Sequence, residues 1–235
     1  MATKLDARLK KIAAMSTAER ITDARSKANE LFERCRELER IHANNRYLIY
    51  GDPFGGALAN TYAGNAYVSL RNANFGFELM RLAALWDGAS ADRISIPEVI
   101  ALILDKDVLA QLKREFDGWY ATHGGILRGV HNDRRWMRAL RVAFGLGGAI
   151  MGNDRIRSIR RHRDKFLAHN LIPPAGKSPR FGYERKLRLS THGVTNALTT
   201  LLEDRGLDYG HSRELCRRHA SEFWDGLSWV PTPKS

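Results

Sequence analysis

Residues 163–170, with the sequence RDKFLAHN, bring a guanidinium, a carboxylate and an imidazole close together in the chain. Histidine has the unperturbed pKa closest to neutrality, so His169 can accept or donate a proton at physiological pH. Arg163 presents a planar fork of donors that can stabilise negative charge growing on a phosphate. Asp164 is expected to orient Arg163 through an ion pair. Arg163, Asp164 and His169 are therefore the catalytic candidates, and the chemistry indicated is proton transfer at a phosphodiester.

Spacing alone does not single out this pair. An Arg followed by four to six residues and then a His occurs seven times in this chain, which has 28 Arg and eight His. The other six pairs are Arg36/His42, Arg155/His162, Arg157/His162, Arg185/His192, Arg205/His211 and Arg213/His219. Only Arg163 is followed directly by Asp, and the apolar residues 166–168 lead into His169. These neighbours, and not the spacing, favour Arg163 and His169.

The excess positive charge is regional. The chain has a formal net charge of +12, and residues 120–192 contain sixteen Lys or Arg against four acids, so this stretch alone carries the whole excess. Proteins bind nucleic acid largely through Lys and Arg that neutralise phosphates. The distribution indicates a polyphosphate partner, and a solvated basic face that aids solubility is the alternative.

The RDKFLAHN segment resembles the Arg-x(4 to 6)-His signature of the HEPN superfamily, and within it the AbiU2-type branch. Residues 78–87 and the Ile-Ser-Ile-Pro run at 94–97 are also similar to that branch, and the resemblance extends over roughly residues 20–205. It implies an all-α, HEPN-like up-and-down helical bundle with extra helices. It also implies a homodimer in which two motifs face one cleft.

The same resemblance implies a metal-independent endoribonuclease that needs no cofactor and leaves a 2′,3′-cyclic phosphate and a 5′-hydroxyl. Such proteins act as toxins or as antiphage abortive-infection effectors on tRNA or mRNA, with a cognate antitoxin such as a nucleotidyltransferase-type protein. One HEPN branch carries a Tyr, modified by its antitoxin, two residues after the His. Leu171 stands there in this chain, so neutralisation by that modification is not expected.

Seven basic residues near the motif are candidates for binding RNA phosphates, with ordinary surface charge as the alternative for each. They are Arg157, Arg160, Arg161, Lys165, Lys177, Arg180 and Arg185. A separation of six residues turns two side chains about 120° apart on a helix. Asn170 and the prolines at 173 and 174 are expected to end the helix and let His169 swing back towards Arg163.

Composition excludes several other classes of protein. Cys35 and Cys216 are far apart and form no Cys/His motif, so neither a disulfide framework nor a metal site is predicted. The longest strongly apolar run, residues 99–104, is far shorter than a membrane span, and the N-terminus lacks an apolar signal region. We therefore expect a cytoplasmic protein.

Helical periodicity dominates the chain and predicts one domain over residues 1–235, with a core at about 16–224 and a loose tail at 225–235. Capping-box spacings begin helices at Ser16 and Ser95. Residues 133–144 and 150–169 are predicted as two basic helices around glycines 145–148, interpreted as a hinge or a close helix contact. Residues 171–180 are predicted as a loop, 183–189 as a short extended piece, and 191–203 and 212–224 as helices.

Two phosphate-binding motifs fail on inspection. The run at 175–178 ends like a P-loop, but the earlier glycine it requires would fall at Leu171. The glycines at 145–152 do not have dinucleotide-binding spacing. Two other functions stay open: a non-catalytic HEPN-like module that binds RNA or protein, and a basic DNA-binding protein, for which no recognition helix is evident.

Overall fold

A computed structural model of the chain describes residues 4–51, 55–58, 61, 63–123, 130–167, 182–203 and 209–226. The elements within these ranges are all helical, which confirms the all-α prediction. They are α1 (Lys4–Ala13), α2 (Thr17–Asn45), α3 (Gly55–Leu58), α4 (Ala63–Leu85), α5 (Ile96–Ile103), α6 (Lys106–His123), α7 (Val130–Leu140), α8 (Gly147–Met151), α9 (Asp154–His162), α10 (Tyr183–Glu203) and α11 (Tyr209–Asp225). Within the described helices, none has the length and apolar character that crossing a bilayer requires.

Three π-helical turns extend α-helices among the described residues. They are Arg46–Gly51 after α2, Arg141–Leu146 after α7 and Arg163–Leu167 after α9. In a π-helical turn, hydrogen bonds join residues five apart in sequence instead of four, and such turns are often found at functional sites. The third turn contains the first half of the predicted motif.

The predicted capping box at Ser16 is complete, whereas at Ser95 only the serine half is present, because the Glu98 carboxylate pairs with Arg8 instead. The Ser16 hydroxyl accepts the backbone N–H of Glu19 at 3.3 Å, and the Glu19 carboxylate accepts the Ser16 N–H at 2.8 Å. At α5, the Ser95 hydroxyl accepts the Glu98 N–H, and Pro97 occupies the first turn. These bonds satisfy donors that a helix N-terminus leaves unpaired, which explains why the helices begin there.

The chain divides into two compact units, and the first comprises Met1–Cys35, Ala83–Arg157 and Arg185–Leu207. The apolar stripe predicted for α2 is buried here, with Ala24, Ala28 and Leu31 fully inaccessible. Polar groups in this core have partners. The indole N–H of Trp86 donates to the Thr191 hydroxyl at 2.8 Å, and the Arg8 Nε donates to the Glu98 carboxylate at 2.9 Å.

The second unit comprises Arg36–Leu82, Ser158–Glu184 and Asp208–Ser235. Leu48, Leu58 and Tyr67 form a small apolar core against which Trp224 packs. The Tyr67 hydroxyl donates to the Leu48 carbonyl at 3.0 Å, and the Trp224 indole donates to the Asn44 side-chain oxygen at 2.9 Å. This unit contains the residues that begin the predicted motif.

The glycines at 145–148 do not form a hinge, because the backbone stays helical through them. Gly147 has φ −58° and ψ −47°, ordinary α-helical values. A Cβ at Gly147 would lie 3.0 Å from the Ile100 Cδ1 and 3.6 Å from the Val194 Cγ1. The alternative interpretation, a close helix contact, is therefore correct: α5, α8 and α10 approach at a position where a side chain would crowd them.

Two other predictions of local structure were wrong. Residues 183–189 are not extended but form the first two turns of α10, where Glu184, Leu187 and Arg188 are buried at helical spacing. Residues 150–169 are not one continuous helix, because α8 ends at Met151 and α9 begins at Asp154. The Asn153 side-chain oxygen accepts the Arg155 N–H at 2.7 Å and starts the new helix. The predicted loop at 171–180 and most of the tail lie outside the described residues.

The contact at Gly147 predicts different effects for alanine at two neighbouring glycines. Gly148 is exposed, and a Cβ there meets nothing within 4 Å, so Gly148→Ala should stabilise the protein by up to about 1 kcal/mol through helix propensity. Gly147→Ala should lose most of that gain, or destabilise the fold, because Ile100 must move. Urea unfolding of both variants checks this, and equal stabilisation would contradict the close contact.

Candidate active site

Helix α9 leads directly into the predicted motif. Ile156 and Ile159 are fully buried and fix which face of the helix points inward. Arg160, Arg161 and His162 occupy the last turn, where positive charge interacts favourably with the helix dipole. The π-helical turn Arg163–Leu167 follows without a break. The local fold therefore presents Arg163 and Asp164 at the end of a basic helix.

Arg163 and Asp164 form an ion pair. The Arg163 Nε donates to the Asp164 Oδ1 at 2.7 Å, and 20% of the arginine side chain is exposed against 60% of the aspartate side chain. An exposed pair of this kind adds at most about 1 kcal/mol to stability. Its main effect is to restrict the guanidinium to one orientation. This is the contact expected if Asp164 positions Arg163, and its role in catalysis stays a prediction.

His162 lies immediately before Arg163 and is half-buried. Burial lowers the pKa of the His162 imidazole below its usual value of 6.5. The ring is therefore neutral at physiological pH. In the sequence, His162 stands out only as the partner of Arg155 and Arg157 at a common spacing. Its burial beside the motif cannot be read from residue spacing.

The RNA-binding candidates that the structure describes fall into two groups, one in each unit. Arg160, Arg161 and Lys165 belong to the second unit with Arg163, and Arg161 and Lys165 are exposed while Arg160 is half-buried. Arg157 and Arg185 are exposed and belong to the first unit. Arg157 also donates to the Gly152 carbonyl at 2.9 Å and pairs with Asp154 at 2.9 Å. Phosphate binding by these residues stays a prediction.

His169, Lys177 and Arg180 lie outside the described residues. Of the three predicted catalytic residues, the structure therefore describes Arg163 and Asp164 but not His169. The convergence of His169 on Arg163 stays a prediction.

A groove in the second unit, lined by three arginines and two glutamates, was not predicted from the sequence. It has a volume of about 750 Å³ and runs between the end of α2 and α11. Its lining residues are Ala43, Arg46, Tyr47, Glu214, Arg217, Arg218, Ser221 and Glu222. Arg46 lies about 170 residues before Arg217 and Arg218 in the sequence, so no short sequence motif contains all three arginines. Arg217 lies 3.5 Å from Glu214 and Arg218 lies 3.9 Å from Glu222, so the charge of both arginines is partly offset within the groove.

One group of side chains in the described part of the chain has the composition of a metal site. His42, Glu78 and Glu184 are buried, and their potential ligand atoms all lie within 4.8 Å of one another. All three belong to the second unit. The sequence analysis predicted no metal site because it searched for short Cys/His spacings, whereas these residues come from α2, α4 and α10.

The lowered pKa of His162 predicts a pH-dependent contribution to stability. As the pH falls through 6.5, the unfolded chain takes up a proton at this histidine before the folded protein does, so folding is favoured above that pH and penalised below it. His162→Gln should reduce the loss of unfolding free energy between pH 7.5 and 5.5, measured by urea titration. His219→Gln, which changes an exposed histidine on α11, is the matched control. An unchanged pH dependence in His162→Gln would overturn the assignment.

Comparison with known proteins places this geometry in a family. The family model HEPN_AbiU2, described as AbiU2, matches residues 25–209. No curated protein and no solved structure gave a match. The matched stretch is more than three quarters of the chain and contains Arg163, Asp164 and His169. The resemblance inferred from the sequence is confirmed, and the chain belongs to the AbiU2 family of HEPN proteins.

Proposed function

We propose that this protein is a metal-independent endoribonuclease that acts as a toxin or antiphage abortive-infection effector. The observation that carries the proposal is the Arg163–Asp164 ion pair at the end of a basic helix, in a chain of the AbiU2 family and six residues before His169. HEPN domains are often ribonucleases, and this pair is where their signature falls in the chain.

The proposed reaction is an internal transfer at an RNA phosphodiester. The 2′-oxygen attacks the adjacent phosphorus while a histidine, His169, accepts its proton, and the bond from phosphorus to the 5′-oxygen breaks. The departing 5′-oxygen takes up a proton and becomes a hydroxyl, and the phosphate remains as a 2′,3′-cyclic diester. No metal is needed, because the guanidinium of Arg163 stabilises the negative charge that builds on the phosphate oxygens.

Asp164 acts in this scheme as a positioning residue. Its carboxylate occupies the Nε side of the Arg163 guanidinium at 2.7 Å. A guanidinium held along that edge keeps a fixed direction for its remaining donors, which lowers the entropy lost when a phosphate binds. Asp164 thus contributes through Arg163 and does not touch the reacting atoms.

Substrate binding is assigned to the basic residues around the motif. Arg161 and Lys165 are exposed in the same unit as Arg163. Lys177, Arg180, Arg157 and Arg185 are proposed to contribute further phosphate contacts. These cations lie in the stretch that carries the whole net charge, so binding should weaken steeply with salt.

A homodimer is proposed to complete the site. A regular α-helix would turn two side chains six residues apart by about 120°, so one copy of the motif would not by itself bring its arginine and histidine together. A second copy of the motif facing the same cleft would supply the opposing imidazole and guanidinium, so that one histidine accepts the 2′-hydroxyl proton while another protonates the leaving oxygen. A cognate antitoxin would act by blocking this cleft, and Leu171 removes the tyrosine that one antitoxin class modifies.

The second candidate function is a HEPN-like module that binds RNA or protein without cutting it. The groove between α2 and α11 favours it, since its lining offers a partner the Arg46 guanidinium beside two arginine–glutamate pairs, Arg217 with Glu214 and Arg218 with Glu222. A cleavage assay separates the two functions, because the module binds RNA but leaves it intact.

Substitution of His169 should abolish cleavage without abolishing RNA binding. In EDTA, wild-type protein should cut labelled tRNA or mRNA, whereas His169→Ala should be slower by about 10²–10⁴-fold because it loses the proton-transfer group. Arg163→Ala should lose about 10²–10³-fold. Arg213 and His219 have the same spacing on α11, so His219→Ala is the matched control and should retain full activity.

Cleavage that survives in His169→Ala, or that appears only with added metal, would contradict the proposed mechanism. Wild-type protein that binds RNA with a steep salt dependence but never cuts it would establish the binding module instead. Gel assays of cleavage and filter binding on the same preparations distinguish these results.

The dimer proposal predicts a mass of twice 26.6 kDa by light scattering at micromolar concentration. It also predicts that mixing inactive Arg163→Ala with inactive His169→Ala restores part of the activity, because one mixed dimer can assemble an intact pair across the cleft. A monomer at tens of micromolar, or no restored activity, would contradict the composite cleft.

A further inference from the structure

The buried cluster of His42, Glu78 and Glu184 lies outside the proposed catalytic machinery. The His42 Nδ1 lies 2.8 Å from the Glu78 Oε1, and the Glu184 carboxylate completes a group whose ligand atoms are all within 4.8 Å of one another. His42 is 6% exposed, and both glutamates are fully buried. Three residues from three helices thus direct one nitrogen and two carboxylates to a single point in the interior.

The distances suit one divalent ion. Imidazole nitrogen and carboxylate oxygen bind Zn²⁺ at about 2.0–2.2 Å. Ligand atoms around such an ion therefore lie roughly 3 to 4.4 Å apart, so the observed separations of 2.8 Å and up to 4.8 Å need shifts of under about 1 Å. One nitrogen with carboxylate oxygens is a donor set that suits Zn²⁺ or Mn²⁺.

Asn45 provides a second, independent observation. Its side chain is fully buried, and its Nδ2 donates to the Glu78 Oε2 at 2.6 Å. Its Oδ1 is buried and has no hydrogen-bond partner within the described part of the chain. A buried amide oxygen without a partner is destabilising, because it has lost its hydrogen bonds to water. The amide nitrogen is the atom that faces Glu78, and a turn of the amide about the Cβ–Cγ bond would bring this oxygen to the cluster as a ligand to a cation.

From this geometry we infer that His42, Glu78 and Glu184 bind a divalent transition-metal ion, with the Asn45 amide as a further oxygen donor. The ion belongs to the fold and not to the cleavage chemistry. It ties the end of α2, the middle of α4 and the first turn of α10 within the second unit.

The test measures metal binding by the full-length protein. After removal of metal with a chelator, titration with Zn²⁺ and, separately, Mn²⁺ is followed by calorimetry and elemental analysis. We expect about one ion per chain for at least one of the two metals. We also expect Tm to rise by roughly 5–10 °C at a hundredfold excess over Kd. Wild-type protein that binds neither ion would overturn the inference.

Variants locate the bound ion. His42→Gln and Glu184→Gln should each weaken binding at least about tenfold and remove the metal-dependent rise in Tm. Glu98→Gln is the matched control, because Glu98 is also a fully buried helical glutamate but lies in the first unit. It should lower stability while leaving metal binding unchanged, which separates lost stability from a lost ligand.

Cys216 and His219 on the surface of α11 are the main competing zinc ligands. His219→Gln should therefore leave the stoichiometry unchanged. Zinc that is lost in His219→Gln and retained in His42→Gln would overturn the inference, and so would Glu184→Gln with unaltered affinity. Ribonuclease activity does not enter these measurements, so their failure is independent of the proposed function.

Discussion

Buried carboxylates held by basic or amide side chains are the interactions on which both units of this fold depend. In the first unit, Glu98 is fully buried and is paired with Arg8, with Lys27 3.7 Å away. In the second unit, Glu78 is held by His42 and Asn45. Removing one partner from such a pair typically costs about 3–5 kcal/mol, because the remaining charge is stranded away from water. The buried polar network therefore fixes which helices pack together.

The ion pair that follows α9 differs from these buried contacts because solvent reaches it. Arg163 and Asp164 are paired where solvent reaches them, so the pair adds little to stability and serves mainly to orient a cation. The surplus positive charge of the chain is concentrated in the same stretch of sequence. That concentration of positive charge is what the proposed binding of a polyanion would use. This contrast links the fold to the proposed action on RNA.

Helix starts that depend on neighbouring residues could largely be predicted from the sequence. Burial and side-chain clusters that depend on distant residues could not. The capping box at Ser16 depends on local hydrogen bonds and was correct, whereas at Ser95 the serine cap formed but the Glu98 carboxylate pairs with the distant Arg8. The start of α10 was predicted as extended, because burial of its inner face depends on the rest of the fold. The family followed from RDKFLAHN and its surroundings. The cluster of His42, Glu78 and Glu184 spans 142 residues of sequence and became evident only in three dimensions.

In the proposed reaction, the 2′-hydroxyl of RNA is the attacking group, and the Arg163 and His169 motif activates it without metal. The most direct measurement uses an RNA whose cleavage position has been mapped, resynthesised with a single 2′-deoxynucleotide on the 5′ side of that bond. The account predicts that cleavage there stops in EDTA, while the unmodified RNA yields a 2′,3′-cyclic phosphate and a 5′-hydroxyl. Continued cleavage of the 2′-deoxy substrate, or 5′-phosphate products, would contradict it.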